Sequence, residues 1–405
     1  MELYKVNLHP TLHRIFRYAD SRVKKRQFEK GVHPSTWSNH DSILDWAINI
    51  SETDIYQDSL TVRRGISLRN SILNEYKDKY SHLDHLRVLI HIPSKKISPG
   101  GYSLFSNLKE TIEYMGVKCE ALGWEETFSH KATMFQPTIF FSSDNEIYRN
   151  KVDWFDVKKY KTKNKLLIGL TATVEPGNRP LFKRLNWAKQ HQIDFYYSFR
   201  SDEYLHIRKD YLPYFDEGFK IYSVEFGANP LHYFPVSGCP KDLAYVFLAS
   251  SNPDKQARYK EWLLPIFSEH PGFLDGPGWS GIDRIADKSL HRYLYGRAKV
   301  GVNLHIDESI DWPSELNERA YILAACGVPQ LVDNAKLIFK RFSKESIFHA
   351  SSPAEYRDLF HYIMEFPDKA AARSNLALEE VFAKHTTFHR AESLIEKLNE
   401  HFGGN

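Results

Sequence analysis

Residues 300–334 are the most informative segment of this 405-residue chain and read VGVNLHIDESIDWPSELNERAYILAACGVPQLVDN. The alternation of apolar side chains from Val300 to Ile306 predicts a buried strand. An acidic loop follows, with Asp307, Glu308 and Asp311. Ser314 is the predicted N-cap of an amphipathic helix, which Gly327 ends before "PQLV" begins a second strand. This order of strand, helix and strand predicts part of a parallel α/β sheet.

Short apolar runs alternate with helix-like segments through most of the chain. They lie at 85–92, 137–143, 165–172, 194–199, 220–226 and 243–250. This alternation predicts βαβ units and mainly parallel sheets. Residues 1–80 have helical spacing instead, and a Pro-rich segment at 228–242 marks a boundary between two sheets. We therefore expect a helical N-terminal extension (1–80), two Rossmann-like domains (81–235 and 236–385) and a C-terminal helix (386–405).

The composition is that of a globular protein, with 42% hydrophobic and 26% charged residues. A net charge of +3 is too small to imply nucleic-acid binding. Cys119, Cys239 and Cys326 are far apart and form no CxxC pair, which argues against a disulfide framework or a zinc site. The N-terminus lacks the apolar core of a signal peptide, and no run approaches the roughly 20 apolar residues of a membrane span. We expect a cytoplasmic protein.

Two motifs carry a family resemblance. Asn317, Arg319 and Tyr321 form an Asn-x-Arg-x-aromatic pattern before Ala325-Cys326-Gly327, and residues 385–390 read HTTFHR. From about Asp242 to Leu398 the chain resembles GT-B glycosyltransferases, especially the CgeB-like branch (spore-maturation and glycosyl transferase-like proteins). The resemblance implies two Rossmann-like domains that face each other across a cleft. Residues 81–235 would form the acceptor side and residues 236–385 the nucleotide-sugar donor side.

Several candidate donor-site residues follow from the polar turns and the resemblance. Gly100 and Gly101 lie in a loop after the first strand, where the family brings backbone close to donor phosphate or acceptor. Ser250, Ser251 and Asn252 form a polar turn before a helix, which suits phosphate binding by backbone amides. Arg258, one to two turns into that helix, could reach a diphosphate. Asn317, Glu318 and Arg319 are the strongest candidates, because an Arg would neutralise the leaving diphosphate and a Glu would bind sugar or ribose hydroxyls.

The acidic loop does not have the spacing of a calcium-binding loop. The resemblance implies that protein groups, rather than a metal, hold the leaving group. We therefore expect no metal and no cofactor beyond the donor itself, a UDP-, GDP- or dTDP-sugar.

Three residues of the acceptor side are candidate catalytic bases: Asp144, Glu175 and His206. Asp144 and Glu175 each follow a predicted strand, which places them near the carboxyl edge of the sheet. An inverting transferase needs such a group near the acceptor hydroxyl. Asp144 is the favoured candidate.

The predicted function is transfer of a hexosyl or pentosyl group from a nucleotide-sugar to a glycan, lipid-linked or macromolecular acceptor. One alternative is a catalytically degenerate sugar- or nucleotide-binding protein, because Ile322 stands where the family has a Glu that is thought to hold the ribose. A nucleotide-sugar epimerase or a phosphorylase is a second alternative. The basic stretch at 14–27 suits peripheral contact with anionic lipid, although its narrow apolar face favours a solvated helix.

Overall fold

The computed structural model describes residues 10–52, 59–173 and 180–403. These residues form two compact α/β units, each assembled from separate stretches of the chain. The five-stranded unit comprises residues 1–67, 232–311 and 322–380. The six-stranded unit comprises residues 68–231, 312–321 and 381–405.

Within residues 10–52 and 59–86, four helices precede the first strand: α1 (Pro10–Gly31), α2 (Pro34–Ser38), α3 (His40–Ser51) and α4 (Leu60–Tyr76). In α1, Phe28 is fully buried, and its ring lies 5.5 Å from that of Trp279 and 5.9 Å from that of Phe267. Burial of such a side chain contributes about 1.5–3 kcal/mol. Arg17 and Lys24 of the basic stretch form ion pairs with acidic residues of the protein. The helix is therefore an integral part of the five-stranded unit.

The six-stranded unit follows the alternation expected from the sequence. Its elements are β1 (Arg87–Ile92), α5 (Pro99–Tyr114), β2 (Lys118–Gly123), α6 (Phe128–Phe135), β3 (Ile139–Ser143), α7 (Glu146–Arg149), α8 (Trp154–Lys161), β4 (Leu167–Thr171), α9 (Leu181–Gln190), β5 (Phe195–Ser198), α10 (Asp202–Ile207), α11 (Leu212–Asp216) and β6 (Ile221–Ser223). The strands are parallel in the order β2-β1-β3-β4-β5-β6. They are almost continuously buried, as expected for a sheet that has helices on both faces.

The rest of the chain builds mainly the five-stranded unit. It contains β7 (Leu243–Leu248), α12 (Gln256–Arg258), α13 (Leu264–Phe267), β8 (Phe273–Asp275), α14 (His291–Arg297), β9 (Ala298–Asn303), α15 (Asp307–Asp311), α16 (Glu318–Ala325), β10 (Gln330–Val332), α17 (Ile338–Arg341), β11 (Phe348–His349), α18 (Pro353–Glu365), α19 (Pro367–Lys384) and α20 (Thr387–Gly403). Short 3-10 segments lie at Pro253–Lys255 and Lys288–Leu290, and a π-helical turn, Tyr259–Leu263, joins α12 to α13. The sheet is parallel in the order β11-β10-β9-β7-β8.

The segment at 300–334 differs from its prediction in one respect. Helix α16 begins at Glu318 and not after Ser314, whose carbonyl instead accepts a hydrogen bond from the N–H of Ser201 at 2.7 Å. Asn317 supplies the cap, because its side-chain oxygen accepts a hydrogen bond from Ala320 N–H. The predicted end is confirmed: Gly327 has φ +64°, and Val328 N–H donates to Leu323 O in a Schellman turn.

The described residues contain no helix that is both long enough and apolar enough to span a bilayer.

Candidate active site

A buried polar cluster lies at the carboxyl edge of the five-stranded sheet. His305 lies just beyond the end of β9, and Asp333 directly follows the neighbouring strand β10. Nδ1 of His305 lies 2.6 Å from one carboxylate oxygen of Asp333, and the backbone N–H of His305 donates to the other at 2.8 Å. Arg258, at the end of α12, donates from Nη2 to Asp333 at 2.7 Å. Three segments that are distant in sequence thus meet at one carboxylate.

The electrostatics of this cluster favour an ionised Asp333. Burial by itself raises the pKa of this carboxyl, but His305 and Arg258 outweigh that effect and hold the pKa below its ordinary value. A carboxylate at this position accepts the Nδ1 proton of His305 and so directs Nε2 away from Asp333.

Two nitrogen atoms of the cluster have no hydrogen-bond partner among the described residues. They are Nε2 of His305 and Nε of Arg258, and both are buried. Buried polar atoms are nearly always satisfied by protein, water or a ligand. Lys255 adds a second cation nearby, because its Nζ donates to the carbonyl oxygen of Leu304 at 2.9 Å. The cluster therefore brings two cations and two unpaired buried nitrogen atoms to the sheet edge where ligands of α/β folds bind.

The polar turn after β7 is organised differently from the sequence prediction. Backbone amides were expected to bind phosphate here, but Ser251 N–H donates to Pro277 O and Asn252 N–H to Ser250 O. The side chain of Asn252 caps the following 3-10 turn by accepting from Asp254 N–H. The amides of Ser251 and Asn252 therefore already have backbone partners, and the phosphate role of this turn stays a prediction. Arg258 is the member of the predicted group that reaches the buried cluster.

The predicted donor residues Asn317, Glu318 and Arg319 lie at the start of α16. All three are partly exposed, and they belong to the six-stranded unit. Glu318 lines a small cavity of about 30 Å³ together with Asn107, Thr387 and Arg390.

The two sequence motifs meet next to this cavity. The ring of Tyr321 lies 5.7 Å from that of His385, and the guanidinium of Arg390 lies 6.0 Å from the centre of the Tyr321 ring. Arg390 also donates to the carbonyl oxygen of Phe226.

Gly100 and Gly101 were expected in a loop, but they form part of the first turn of α5. A Cβ added at Gly100 would meet no atom within 4 Å, whereas a Cβ at Gly101 would collide with the hydroxyl of Tyr148. The backbone at Gly101 therefore does lie close to another group, but that group is the hydroxyl of Tyr148, a residue of the same unit.

A buried cluster near the carboxyl end of β1 contains none of the residues predicted from the sequence. Nε2 of His91 and Nε1 of Trp124 are buried and lack hydrogen-bond partners among the residues that the structure describes. Burial lowers the pKa of His91 to about 4, so the ring is neutral at physiological pH.

The candidate bases have very different surroundings. Asp144 is 1% exposed and is bound by Arg184, Thr173 and Tyr214, whose hydroxyl donates at 2.8 Å. Burial raises the pKa of Asp144, although Arg184 and the two hydroxyl groups oppose this. Such an enclosed carboxylate is better placed to hold β3, β4 and α9 together than to contact an acceptor. His206, in α10, is exposed, and Glu175 lies outside the described residues.

The predicted acidic loop is instead a short helix, α15. Asp307 is exposed and lies 3.7 Å from Arg258 Nη1. A different set of side chains, Glu269, His270 and His361, brings one ligand atom each within 4.8 Å of one another among the described residues. These residues follow α13 or lie in α18, away from the carboxyl edge of the sheet.

The signal for His305 and Asp333 was present in the sequence. Asp333 directly follows one predicted strand of the segment 300–334, His305 lies near the end of the other, and the carboxyl ends of neighbouring parallel strands meet at one edge. The prediction of a buried strand rests on the apolar residues around His305 and assigns His305 itself no role.

Comparison with known proteins supports one class. Residues 258–396, about a third of the chain, match the sequence model of a family described as glycosyl transferase-like. No curated protein matches the chain.

Solved structures resemble this one over both units. They include a glycosyltransferase from Rickettsia africae (11% identity, 78% of this chain and 98% of that chain, TM-score 0.51). T4 phage BGT in complex with UDP-glucose is similar to the same degree (13% identity, 77% and 99% covered, TM-score 0.51). So is Anabaena Alr3699/HepE with UDP-glucose (10% identity, 78% and 100% covered, TM-score 0.50). The chain has the GT-B fold of two Rossmann-like domains, and the family match supports the glycosyltransferase class.

Proposed function

We propose that this protein transfers a sugar from a nucleotide-diphosphate-sugar to an acceptor hydroxyl. The convergence of Arg258, His305 and Asp333 at the carboxyl edge of the five-stranded sheet supports the proposal, because it offers unsatisfied buried nitrogen atoms next to the cations Arg258 and Lys255. All three residues lie within the segment that matches the glycosyl transferase-like family.

The chemistry of the cluster fits the leaving group of this reaction. Cleavage of a sugar–phosphate bond leaves negative charge on the nucleoside diphosphate, and fixed cations stabilise that charge. Arg258 would bind a phosphate oxygen through Nε, because its Nη2 already donates to Asp333. His305, oriented by Asp333, would donate from Nε2 when protonated. Lys255 would add positive charge nearby.

The donor side of the proposal is a UDP-, GDP- or dTDP-sugar bound without a metal, and the similar structures with UDP-glucose make uridine the first choice. We expect the acceptor to be a glycan, a lipid-linked sugar or a macromolecule, as the resemblance to the CgeB-like branch implies. We expect the reaction to take place in the cytoplasm. His206 is the accessible candidate base, since Asp144 is enclosed.

The first test is thermal unfolding of the protein with each nucleotide and nucleotide-sugar. A ligand at 100 times its dissociation constant adds about 2.7 kcal/mol to the folded state. We expect one nucleotide family to raise the melting temperature by several degrees. If no nucleotide or nucleotide-sugar does so at millimolar concentration, the proposal is wrong.

A catalytically degenerate binding protein is the second candidate, and it is favoured by the buried Ile322. It predicts the same thermal shift but no release of nucleoside diphosphate with any acceptor. An epimerase would instead convert the bound nucleotide-sugar without an acceptor, which analysis of the recovered sugar would detect.

A further inference from the structure

The five-stranded unit contains a large pocket at the edge of the sheet opposite to the buried cluster. The pocket has a volume of about 540 Å³ and is lined from the amino ends of β9 and β10, the end of α16, the start of α4 and the junction of α18 with α19. The amino end of β9, which lines the pocket, lies about 16 Å from its carboxyl end, which is close to the buried cluster. The pocket is therefore distinct from the proposed donor site, and the inference below does not depend on that site.

The size of the pocket suits a small molecule, because ligand pockets commonly measure about 300–1,000 Å³. Its walls are largely apolar. Ile363 and Met364, at the end of α18, and Ala371, in α19, line it. A molecule in this pocket would bury much of its apolar surface, which contributes about 25 cal/mol per Å².

Two cations distinguish this pocket from a plain apolar groove. Lys241 and Lys299 both line it. Nζ of Lys241 donates to the carbonyl oxygen of Ala298 at 3.2 Å, and neither ammonium group forms an ion pair with a carboxylate among the described residues. Asp368 is the one acidic residue in the lining and lies at the exposed start of α19. The lining therefore carries an excess of one positive charge.

We propose that this pocket binds a small amphipathic anion, with an apolar body and a single carboxylate or phosphate head. The head would pair with Lys241, and the body would lie against Ile363, Met364 and Ala371. A charge-assisted hydrogen bond inside a concave apolar site is worth more than one at a flat surface.

The test uses dodecanoate and dodecyl phosphate as probes, with dodecanol as the matched neutral molecule, each below its aggregation concentration. Binding to the full-length protein is measured by calorimetry. We expect saturable binding of at least one anion at one site per chain, and at least tenfold weaker binding of dodecanol. Lys241→Met should weaken anion binding about tenfold, and Ala371→Phe should also weaken it, because the ring would occupy part of the apolar wall against which the body of the anion lies.

Two further measurements locate the ligand. Lys260→Met, which removes an exposed cation bonded to Gln27 in the same unit, should leave binding unchanged. Cys239 also lines the pocket, so the bound anion should slow its reaction with maleimide. Burial raises the pKa of this thiol to about 11, so its reaction with maleimide is slow even without the anion and is followed over hours.

Three results would overturn the inference. They are no saturable binding of either anion, equal binding of dodecanol, and unchanged anion binding in both Lys241→Met and Ala371→Phe. Circular dichroism of each variant shows whether it is folded, and the Lys241 variant tests the head group even if Ala371→Phe fails to fold.

Discussion

Replacement of Arg258 by Met gives the sharpest test of the proposed donor site, because the chain contains a closely matched control. Arg258 pairs with Asp333, stacks at 4.9 Å over Trp262 and has a side chain that is 14% exposed. Arg297 pairs with Asp242, stacks at 4.5 Å over Trp46 and is 11% exposed. Arg297 lies at the amino edge of the same sheet, immediately before β9. Of these two arginines, only Arg258 lies at the carboxyl edge, where the ligand is proposed to bind.

The expected loss of affinity follows from the hydrogen bonds that Arg258 can offer. One charge-assisted bond to a phosphate contributes about 1.5–3 kcal/mol, and each 1.4 kcal/mol changes a dissociation constant tenfold. Arg258→Met should therefore weaken nucleotide binding roughly 10- to 100-fold. Arg297→Met should change it less than about twofold.

The two variants should also differ in stability. Asp333 is fully buried, so loss of Arg258 removes one of its two side-chain partners and costs up to about 3 kcal/mol. Asp242 is half exposed, so loss of Arg297 costs less than about 1 kcal/mol. Affinities are therefore measured by calorimetry at a temperature where both variants are folded. Equal affinity of Arg258→Met and the unmodified protein for the nucleotide found in the thermal screen would refute a role of Arg258 in donor binding.

Three further predictions concern buried side chains. Asp333→Asn should lower the free energy of unfolding, as measured by urea unfolding across pH. The difference from the unmodified protein should have its full size above the ordinary carboxyl pKa of about 4. It should shrink as the pH falls through the lower pKa that Asp333 has in the folded state. A difference that grows below pH 4 would contradict this sign. Asp144→Asn should lower the free energy of unfolding by about 3 kcal/mol while leaving nucleotide affinity unchanged, because it breaks the buried pair with Arg184; a loss of turnover without a loss of stability would instead support a catalytic base. Ile322→Glu should destabilise the protein by about 2 kcal/mol or more, since position 322 is 8% exposed; a gain in donor affinity would instead favour the degenerate alternative.

The fold could be predicted because its signals are local. The apolar runs at 85–92 and 243–250 are confirmed as Arg87–Ile92 and Leu243–Leu248, and Gly327 ends its helix as expected. Parallel strands that are covered on both faces must be almost continuously apolar, so their sequences reveal them directly.

The candidate site was harder to predict because its contacts are tertiary. Ser314 has the side chain of an N-cap, but a hydrogen bond with Ser201, more than 100 positions earlier, holds it outside the helix. His305 and Asp333 become a pair only when β9 and β10 lie side by side. Asp144 has the sequence context of a catalytic base, and the buried position of Arg184 next to it cannot be deduced from spacing.

The assembly of each unit from separate stretches of chain constrains how the protein is made. The five-stranded unit needs residues 1–67 and residues as late as 380, and the six-stranded unit is completed by residues 381–405. During synthesis on a ribosome, Phe28 emerges more than 200 residues before the Phe267 and Trp279 rings that enclose it. The apolar face of α1 around Phe28 therefore stays uncovered until those residues have been synthesised, and exposed apolar surface of this kind favours aggregation of incomplete chains. For the same reason, no single cleavage of the finished chain could release either unit intact.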